Sequence, residues 1–446
     1  MNGQVLAVVG VLVIVLGVMV SIALHELGHM VPAKRFGVRC SQYMIGFGPT
    51  LWSTVRGGTE YGVKAIPLGG YVRMLGMFPP RQGPVHAENE GRWTALVEQA
   101  RRDSYLEVGP EDADRLFYQR PVHQRLIIML GGPTMNLLLG ALFIGIVVTG
   151  FGLPEPSTRL SVVQECVLPI DAPDRPCSPT DRRAPGAAAG LRPGDVVLSI
   201  GGVEAGSWDT VRAAIRESGD REIPVVVRRG DSTLSLRITP IIADRPRHDE
   251  SGEMLRSDDG RPLTEKVGFL GVVPAEDLQP QSLSVVPGML AESVGQIAGV
   301  VVRIPEKMTG IVKVIIGEEE RDPESLVSIV GIGRFAGEVG AEQGTTAEPM
   351  TLRTKLAFWV SLLAALNLAL FVFNLLPLLP LDGGHVVGAL WEAVRRAVAR
   401  VRRRPDPGPV DVAKALPLAY GVASVLIGMS VLLIYADIVR PIQITG

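Results

Sequence analysis

The sequence is short of cysteine, of net charge and of charged residues in general. Its 446 residues include three cysteines, too few for a disulfide scaffold or a cysteine-rich zinc module. The formal net charge is −2, which gives no indication of a nucleic-acid surface, so no nucleic-acid partner is expected. Charged residues make up 20% of the chain against 47% hydrophobic residues, a balance that favours several buried or membrane segments.

The amino terminus lacks the basic region and the small-residue cleavage site of a removed signal peptide. Instead, residues 5–24 are apolar without a break, and the helical pattern continues to about Phe36. Each apolar run has about the 20 residues that cross a hydrocarbon core of ~30 Å. The sequence therefore predicts four transmembrane helices, assigned to residues 1–36, 122–151, 356–390 and 415–440.

The segment 391–414 carries seven basic residues between two apolar runs. A basic run is usually a solvated face, but short basic loops beside membrane spans stay in the cytoplasm. We therefore assign 391–414 and the loop 37–121 to the cytoplasmic side, and 152–355 to the outside. The protein is expected in the cell membrane as a multi-pass protein with an extracytoplasmic amino terminus.

The connecting segments differ in pattern from the apolar runs. Residues 38–76 are rich in glycine and alternate as strands do, and 152–245 open with a proline-rich linker followed by short strands and one helix. Within 246–355, residues 284–316 are apolar but interrupted by charges, which favours an amphipathic surface helix over a fifth span. Cys166 and Cys177, eleven positions apart in the external linker, either form a disulfide or remain two free cysteines.

An H-E-x-x-H motif, His25-Glu26-Leu27-Gly28-His29, lies inside the first apolar helix. Residues four apart lie one above the other on a helix, so both imidazoles can reach one metal ion. Glu26 lies beside them, where its carboxylate can accept a proton from water activated by the metal. The alternative is a run of polar residues at a helix end, but ionisable groups within a membrane are costly and generally functional.

A catalytic zinc ion needs a third protein ligand and one open position. Asp382 is the better candidate. It and His25 each fall about 20–27 residues into spans that start on the outer side, so at 1.5 Å rise per residue they reach a similar depth in the membrane. His385, three residues later, is the alternative. Two prolines precede Asp382 and break the helix, which leaves backbone groups free beside a wet cavity. Asn374 either contacts the substrate or the developing oxyanion, or it fixes the broken helix.

These residues resemble the site-2 protease family of intramembrane zinc metalloproteases, in particular the bacterial regulator-of-sigma-E protease type. The resemblance covers most of the chain. One difference is visible: the family's second proline often falls one residue before Pro380, which concerns the local backbone and not the Asn-to-Asp spacing. The matching segments are the His25–His29 motif, Gly46-Phe47-Gly48-Pro49, Ile66–Val72, Gly131-Gly132-Pro133 with Asn136, and Asn374–Gly384.

The resemblance implies a zinc metalloendopeptidase in which His25, His29 and Asp382 bind Zn²⁺ and Glu26 is the catalytic base. It implies a membrane-associated β-hairpin at 38–76 that holds the substrate as an extended strand, with Gly69 and Gly70 as substrate-binding residues. It also implies a PDZ-like α+β domain at 187–240, the alternative being a generic small β domain. Implied partners are the lipid bilayer and single-span membrane proteins, such as anti-sigma factors after a first extracytoplasmic cut, or remnant signal peptides.

The expected fold class is therefore a mainly α-helical multi-pass membrane protein with four spans, a membrane-associated β-hairpin and an inserted extracytoplasmic PDZ-like domain. Two other functions fit polar groups in membrane helices. The first is a transporter or channel, which paired symmetry between the two halves of the sequence would favour, but the sequence does not show such symmetry. An inactive membrane scaffold displaying a PDZ domain would not need the intact His-Glu-His-Asp set.

Overall fold

The structure is a computed structural model that divides the chain into two compact units. The first, Met1–Phe151 with Ser282–Gly446, is called the helical unit below; the second, Gly152–Gln281, is called the inserted unit. The residues described are 3–80, 92–168, 176–247, 254–255, 257, 263–317, 321–322, 325–341 and 351–442.

Eleven α-helices and ten strands make up the described part of the chain. In chain order they are α1 (Gly3–Arg35), β1 (Cys40–Arg56), β2 (Thr59–Met74), α2 (Arg92–Tyr105), α3 (Val122–Ile146), β3 (Leu153–Val163), α4 (Pro185–Ala188), β4 (Val196–Ile200), β5 (Val203–Glu204), α5 (Trp208–Glu217), β6 (Ile223–Arg229), β7 (Ser232–Ile238), β8 (Ile241–Pro246), β9 (Thr264–Phe269), β10 (Val272–Gln279), α6 (Val286–Val302), α7 (Ile304–Ile316), α8 (Ile329–Ala341), α9 (Leu352–Asn374), α10 (Asp382–Val401) and α11 (Leu416–Val439).

Long apolar helices dominate the helical unit. The segment predicted as one surface helix, 284–316, forms two helices that meet at Arg303. The stretch Leu283–Val302, which includes the first helix, is long and apolar enough to span. The chain is thus mainly helical with several candidate membrane helices, one more than the four that the sequence predicts. Within the described residues the candidates are Gly3–Arg35, Val122–Phe151, Leu283–Val302, Leu352–Asn374 and Val412–Val439.

The helices α1 and α9 run parallel, and α3 runs antiparallel to α1. Along α1, a Cβ at Gly10 would meet Trp359, and the Asn367 amide donates to the Ser21 hydroxyl at 3.0 Å. The residue numbers of the contacts on α9 therefore rise with those on α1, as they do for parallel helices. Against α3 the order reverses, because Gly28 meets Gly131 whereas Val9 and Val13 pack in a cluster that includes Phe143.

The predicted β-hairpin is confirmed as an antiparallel pair, β1 with β2. Both strands fold back on themselves. Residues 42–45 of β1 pair on one side with 60–63 and on the other with 70–73, so the second half of β2 forms an edge. The far end of the hairpin is apolar and exposed, since Leu51, Trp52 and Val55 are each more than 60% exposed.

The break predicted within the third span is confirmed, because residues 356–390 form parts of two helices. The helix α9 ends at Asn374 and α10 begins at Asp382. Pro377 and Pro380 lie in the break, where a proline cannot donate to a helical carbonyl, and the Leu379-Pro380 bond is cis. The predicted loop 391–414 is wrong at its start, because α10 continues to Val401 and buries Glu392.

The inserted unit is a β domain with its own core. Its main sheet has the strand order β10-β3-β4-β6-β7, with β5 paired to β4, and β8 pairs with β9. The helix α5 begins at the cap Ser207 and buries Val211 and Ile215. The disulfide between Cys166 and Cys177, one of the two alternatives above, is confirmed. The core includes Leu160, Leu191, Val197, Ile200, Val211, Ile215, Ile223, Val225, Val227, Ile238 and Leu270.

Candidate metal centre

The two histidines of the motif lie one turn apart on α1 and are buried against α3. The crossing of the two helices is unusually close, because a Cβ at Gly28 would overlap the carbonyl group of Gly131 and a Cβ at Gly131 would overlap that of Gly28. Small residues at a crossing let backbones approach closely. The glycine inside the motif therefore brings both imidazoles against α3.

Gly132 makes room for the imidazoles on the α3 side. A Cβ built there would overlap Nε2 of His29 and lie 2.7 Å from Cε1 and Nε2 of His25. Any larger residue would push the rings apart or away from α3. The glycine pair on α3 therefore has two separate uses, one for the helix crossing and one for the histidine rings.

Asp382 reaches the same point from the first turn of α10. Its Oδ2 atom lies 3.3 Å from Nε2 of His25 and 3.3 Å from Nε2 of His29. The two Nε2 atoms are themselves 3.2 Å apart. Gly383 permits the tight return of the chain, because a Cβ there would overlap the carbonyl oxygens of Leu375 and Leu376. Among the described residues, these three side chains form a group whose ligand atoms all lie within 4.8 Å of one another.

The three side chains fit a zinc ion. Asp382 Oδ2 is buried and has no hydrogen-bond partner in the described part of the chain, as expected of an atom reserved for another ligand. Nδ1 of His29 lies 2.8 Å from the Ile128 carbonyl, which can only accept, so this nitrogen carries the proton and Nε2 keeps a free lone pair. Two imidazole nitrogens and one carboxylate oxygen are a ligand set of catalytic zinc sites.

Glu26 lies between the histidines and the hairpin. The backbone amide of Val72 donates to its carboxylate, and a Cβ at Gly70 would lie 3.1 Å from Glu26 Cγ. The Tyr43 hydroxyl donates to the Ala23 carbonyl at 2.6 Å, which fixes β1 to α1. Burial and the nearby Glu26 carboxylate raise the pKa of Tyr43 to about 12, so this donor stays protonated. The hairpin edge and the candidate base are therefore in direct contact.

The other candidate residues lie in different places. Gly69 has a positive φ of 111° and faces Phe47, and Asn374 is the half-buried last residue of α9; neither takes part in the contacts described for the three ligands. His385 lines a small cavity with Tyr118 and Arg125, and among the described residues it does not belong to the group of three whose ligand atoms converge. His123 is exposed at the start of α3, and His86 and His248 lie outside the described residues.

Two further contacts were not predicted from the sequence. Asn136 Nδ2 lies 3.0 Å from Nδ1 of His25, and an asparagine in an apolar helix, four residues after Gly132, is the signal that indicates a role. Arg125 on α3 forms a buried ion pair with Glu392, which is fully buried on α10 and also accepts from the Val410 amide at 3.0 Å. This ion pair joins α10, which begins with Asp382, to α3, against which the two histidines pack.

Comparisons with known proteins identify the family of the chain. The model of peptidase family M50 matches residues 13–404. Zinc metalloprotease Rip1 of Mycobacterium tuberculosis is 33% identical over 450 residues, covering 98% of this chain and 99% of the relative. Metalloprotease MmpA of Caulobacter vibrioides is 29% identical, with 87% of each chain covered. The regulator of sigma-W protease RasP of Bacillus subtilis is 25% identical, covering 83% of this chain and 87% of the relative.

Proposed function

The chain belongs to peptidase family M50 and is a membrane-embedded zinc metalloendopeptidase, and we propose that His25, His29 and Asp382 bind its zinc ion while Glu26 is the general base. The observation that carries the proposal is the convergence of two Nε2 atoms and one Oδ2 atom, 3.2–3.3 Å apart, beside the Glu26 carboxylate. Family membership and the complete His-Glu-His-Asp set also argue against a transporter or an inactive scaffold.

Each group then has a defined part in hydrolysis. Zinc bound by the three ligands would lower the pKa of a water molecule and polarise the carbonyl of the peptide bond to be cut. Glu26 accepts the proton that water loses as its oxygen attacks the carbonyl carbon, and it delivers that proton to the departing amide nitrogen. The Val72 amide holds the Glu26 carboxylate in position, because it donates to it from the hairpin edge.

We assign the hairpin edge as the substrate-binding strand. Its residues 70–73 lie next to Glu26, and an unpaired strand edge can bind an extended peptide through main-chain hydrogen bonds. Gly70 lets the edge approach α1, and Gly69 adopts a left-handed conformation that favours glycine. Asn374 is proposed to contact the same peptide from the end of α9. The exposed apolar end of the hairpin suits contact with lipid.

The proposed substrates are single-span membrane proteins, such as anti-sigma factors after a first cut, or remnant signal peptides. Two considerations support this class. The metal centre lies among apolar helices, where a soluble protein does not enter. One relative is named as a regulator of sigma-W protease, a name that connects a similar chain with sigma-factor control.

We propose that 37–125 and 391–414 are cytoplasmic, and that the amino terminus and 152–355 are extracytoplasmic. The parallel course of α1 and α9 supports this, because both must then enter from the same side. The chain is outside again after α3. If Leu283–Val302 were a single further crossing, α9 would begin in the cytoplasm and would run antiparallel to α1. Labelling of intact cells with a thiol reagent tests this: the Arg403→Cys variant should react at that position only after permeabilisation, and ready labelling from outside would refute the topology.

The inserted unit is proposed to be a PDZ-like domain that screens substrates by size. Its sheet with one packed helix, and the turn between Ala188 and Asp195, support the assignment. Deleting 160–242 should leave the cleavage of an already shortened substrate intact. Complete loss of activity in a folded, zinc-loaded deletion variant would contradict the division of labour.

The Glu26→Gln variant tests the proposed catalytic site. Glutamine keeps the size and the contact with Val72 but cannot accept a proton, so zinc content should stay at one per chain. Peptide hydrolysis should fall by at least ~10²-fold, the lower end for a lost general base. The measurement uses purified variants in detergent and a single-span substrate, with Glu60→Gln on the exposed hairpin as the control. Normal cleavage by Glu26→Gln would refute the proposed mechanism.

A further inference from the structure

We propose that Asn136 is a positioning residue of the metal centre, whose side-chain oxygen accepts a hydrogen bond from Nδ1–H of His25. This inference rests on the proposed role of His25 as a zinc ligand. The bond would fix the proton on Nδ1 and aim the lone pair of Nε2 at the point where His29 and Asp382 converge. Asn136 is fully buried on α3, and its amide lies 3.0 Å from Nδ1 of His25.

The orientation of the Asn136 amide follows from what His25 must do. If Nδ2 donated to Nδ1, a neutral His25 would carry its proton on Nε2, pointing at Nε2 of His29, 3.2 Å away. That state cannot bind a metal through Nε2. A rotation of the amide by 180° exchanges its two atoms without moving the side chain and places Oδ1 on Nδ1–H. Nothing described opposes the rotation, because Oδ1 is buried without a hydrogen-bond partner.

With this orientation, α3 provides an acceptor for the Nδ1 proton of each histidine. His29 gives its Nδ1 proton to the Ile128 carbonyl at 2.8 Å, and His25 gives its own to Asn136, eight residues further along α3. Gly132 lies midway and leaves space for both rings. Two imidazoles one turn apart thus meet two acceptors about two turns apart on the antiparallel helix. The antiparallel packing of α3 on α1 therefore explains why an asparagine stands at 136 and a glycine at 132.

An acceptor on the distal nitrogen of a metal-binding histidine sets the ring orientation and raises the basicity of the ligand nitrogen. Loss of such a partner typically costs 10–100-fold in metal affinity. An asparagine that merely filled space would not have this effect, and an apolar residue of similar volume would replace it. The distinction can be measured through zinc affinity, without any assay of hydrolysis.

The experiment compares Asn136→Leu, which removes the acceptor, with Asn136→Asp, which keeps one. Zinc affinity of the purified full-length chain is measured by competition with a chromophoric chelator, and the visible spectrum of the Co²⁺-substituted protein reports ligand geometry. Asn136→Leu should lose zinc affinity by about 10–100-fold with an altered Co²⁺ spectrum. The zinc affinity of Asn136→Asp should stay within about threefold of the wild-type affinity, a smaller change than the 10–100-fold loss expected when the acceptor is missing.

Two matched controls separate this effect from general damage to the helices. Asn367→Leu removes another fully buried asparagine, which donates to Ser21 and, among the described residues, forms no hydrogen bond with a histidine. Thr134→Val changes an exposed residue on α3. Both should keep wild-type zinc affinity. If Asn136→Leu cannot be purified in a folded state, Asn136→Ala takes its place in the comparison with Asn136→Asp.

Wild-type affinity in Asn136→Leu would overturn the inference, and so would equal losses in Asn136→Leu and Asn136→Asp. His25→Ala distinguishes this failure from failure of the proposed ligand set. If His25→Ala loses zinc while Asn136→Leu keeps it, only the role of Asn136 is wrong. If His25→Ala itself keeps zinc, the proposed metal centre is wrong, and the inference about Asn136 falls with it.

Discussion

Two aspartates, one in each unit, show how differently the protein uses a carboxylate that it shields from solvent. In the inserted unit, Asp195 is fully buried and accepts hydrogen bonds from the Arg229 guanidinium at 2.7 Å and from the Arg192 amide at 2.9 Å. In the helical unit, Asp382 Oδ2 is buried without a hydrogen-bond partner and faces two histidines. The first carboxylate is neutralised within its own domain; the second is not.

The difference separates a structural charge from a functional one. A buried charge is tolerated when hydrogen bonds and an opposite charge satisfy it, and such a group needs nothing further. A buried oxygen without a partner, held by a helix break against two imidazoles, costs stability unless a ligand completes it. Asp195 therefore stabilises a fold, whereas Asp382 and its neighbours are arranged for a metal ion. The predictions below test whether this contrast holds.

The largest effect is expected from Asp382→Ala. Removing one of three proposed ligands should lower zinc affinity by more than ~100-fold, beyond the range for a lost outer partner, and should abolish hydrolysis. His385→Ala is the matched control on the same helix and should keep both zinc and activity. Zinc content per chain and cleavage in detergent decide this. Full zinc in Asp382→Ala, with loss in His385→Ala, would reverse the assignment of the third ligand.

Asp195→Asn should have a smaller effect, confined to the inserted unit. It leaves Arg229 without its charged partner, which should cost about 3 kcal/mol, the lower end of the range for breaking a buried pair, because the Arg229 side chain is 29% exposed. Zinc affinity should not change. Hydrogen exchange of the inserted unit, compared between wild type and variant, measures the loss of stability. Glu222→Gln, which alters an exposed ion pair with Arg237, is the control and should cost less than ~1 kcal/mol.

The same carboxylate predicts a pH dependence. Burial alone would raise the pKa of Asp195, but the hydrogen bonds from Arg229 and from the Arg192 amide hold that pKa below its usual range. A group with a lowered pKa stabilises the folded state above its unfolded pKa of about 4, and this contribution is lost as the pH falls through the folded value. The inserted unit should therefore lose more stability below pH 4 in the wild type than in Asp195→Asn. Equal acid sensitivity would contradict this.

The smallest effect is expected from the disulfide. Replacing Cys166 and Cys177 by serine opens a loop of 11 residues, which should cost the inserted unit about 2–3 kcal/mol and leave zinc binding unchanged. In the folded wild type, burial raises the pKa of the third cysteine, Cys40, to about 11, so its thiol is unreactive. Alkylation without reductant should therefore label no cysteine. Two alkylated thiols would contradict the disulfide.

The sequence predicts the parts of the site that depend on local spacing. His25 and His29 lie on one helix face because they are four residues apart, and Glu26 must lie beside them. Pro377 and Pro380 predict the break before Asp382 because proline removes helix donors. Depth counting then places Asp382 near the histidines, and the structure brings the three together.

What the sequence does not predict depends on partners distant along the chain. Asn136 and His25 are 111 residues apart, and Arg125 and Glu392 are 267 apart, so neither contact appears in any local pattern. The basic residues of 391–414 suggest a loop, whereas the first of them belong to α10, where Arg396 forms an ion pair with the buried Glu392 of the same helix. The sequence assigns 284–316 to a surface helix, and this stays a prediction, because the length and composition of Leu283–Val302 do not distinguish a surface helix from a span.

The most direct test of the account is X-ray absorption at the zinc edge of the purified full-length chain. One zinc per chain should show two imidazole nitrogens at ~2.0–2.1 Å and carboxylate oxygen at ~2.0–2.2 Å, with no sulfur near 2.3 Å. The imidazole signal should fall in His25→Ala carrying added zinc, while Glu26→Gln should retain the wild-type spectrum. Sulfur scattering, three imidazoles, or an Asp382→Ala spectrum identical to the wild type would contradict a centre built from His25, His29 and Asp382.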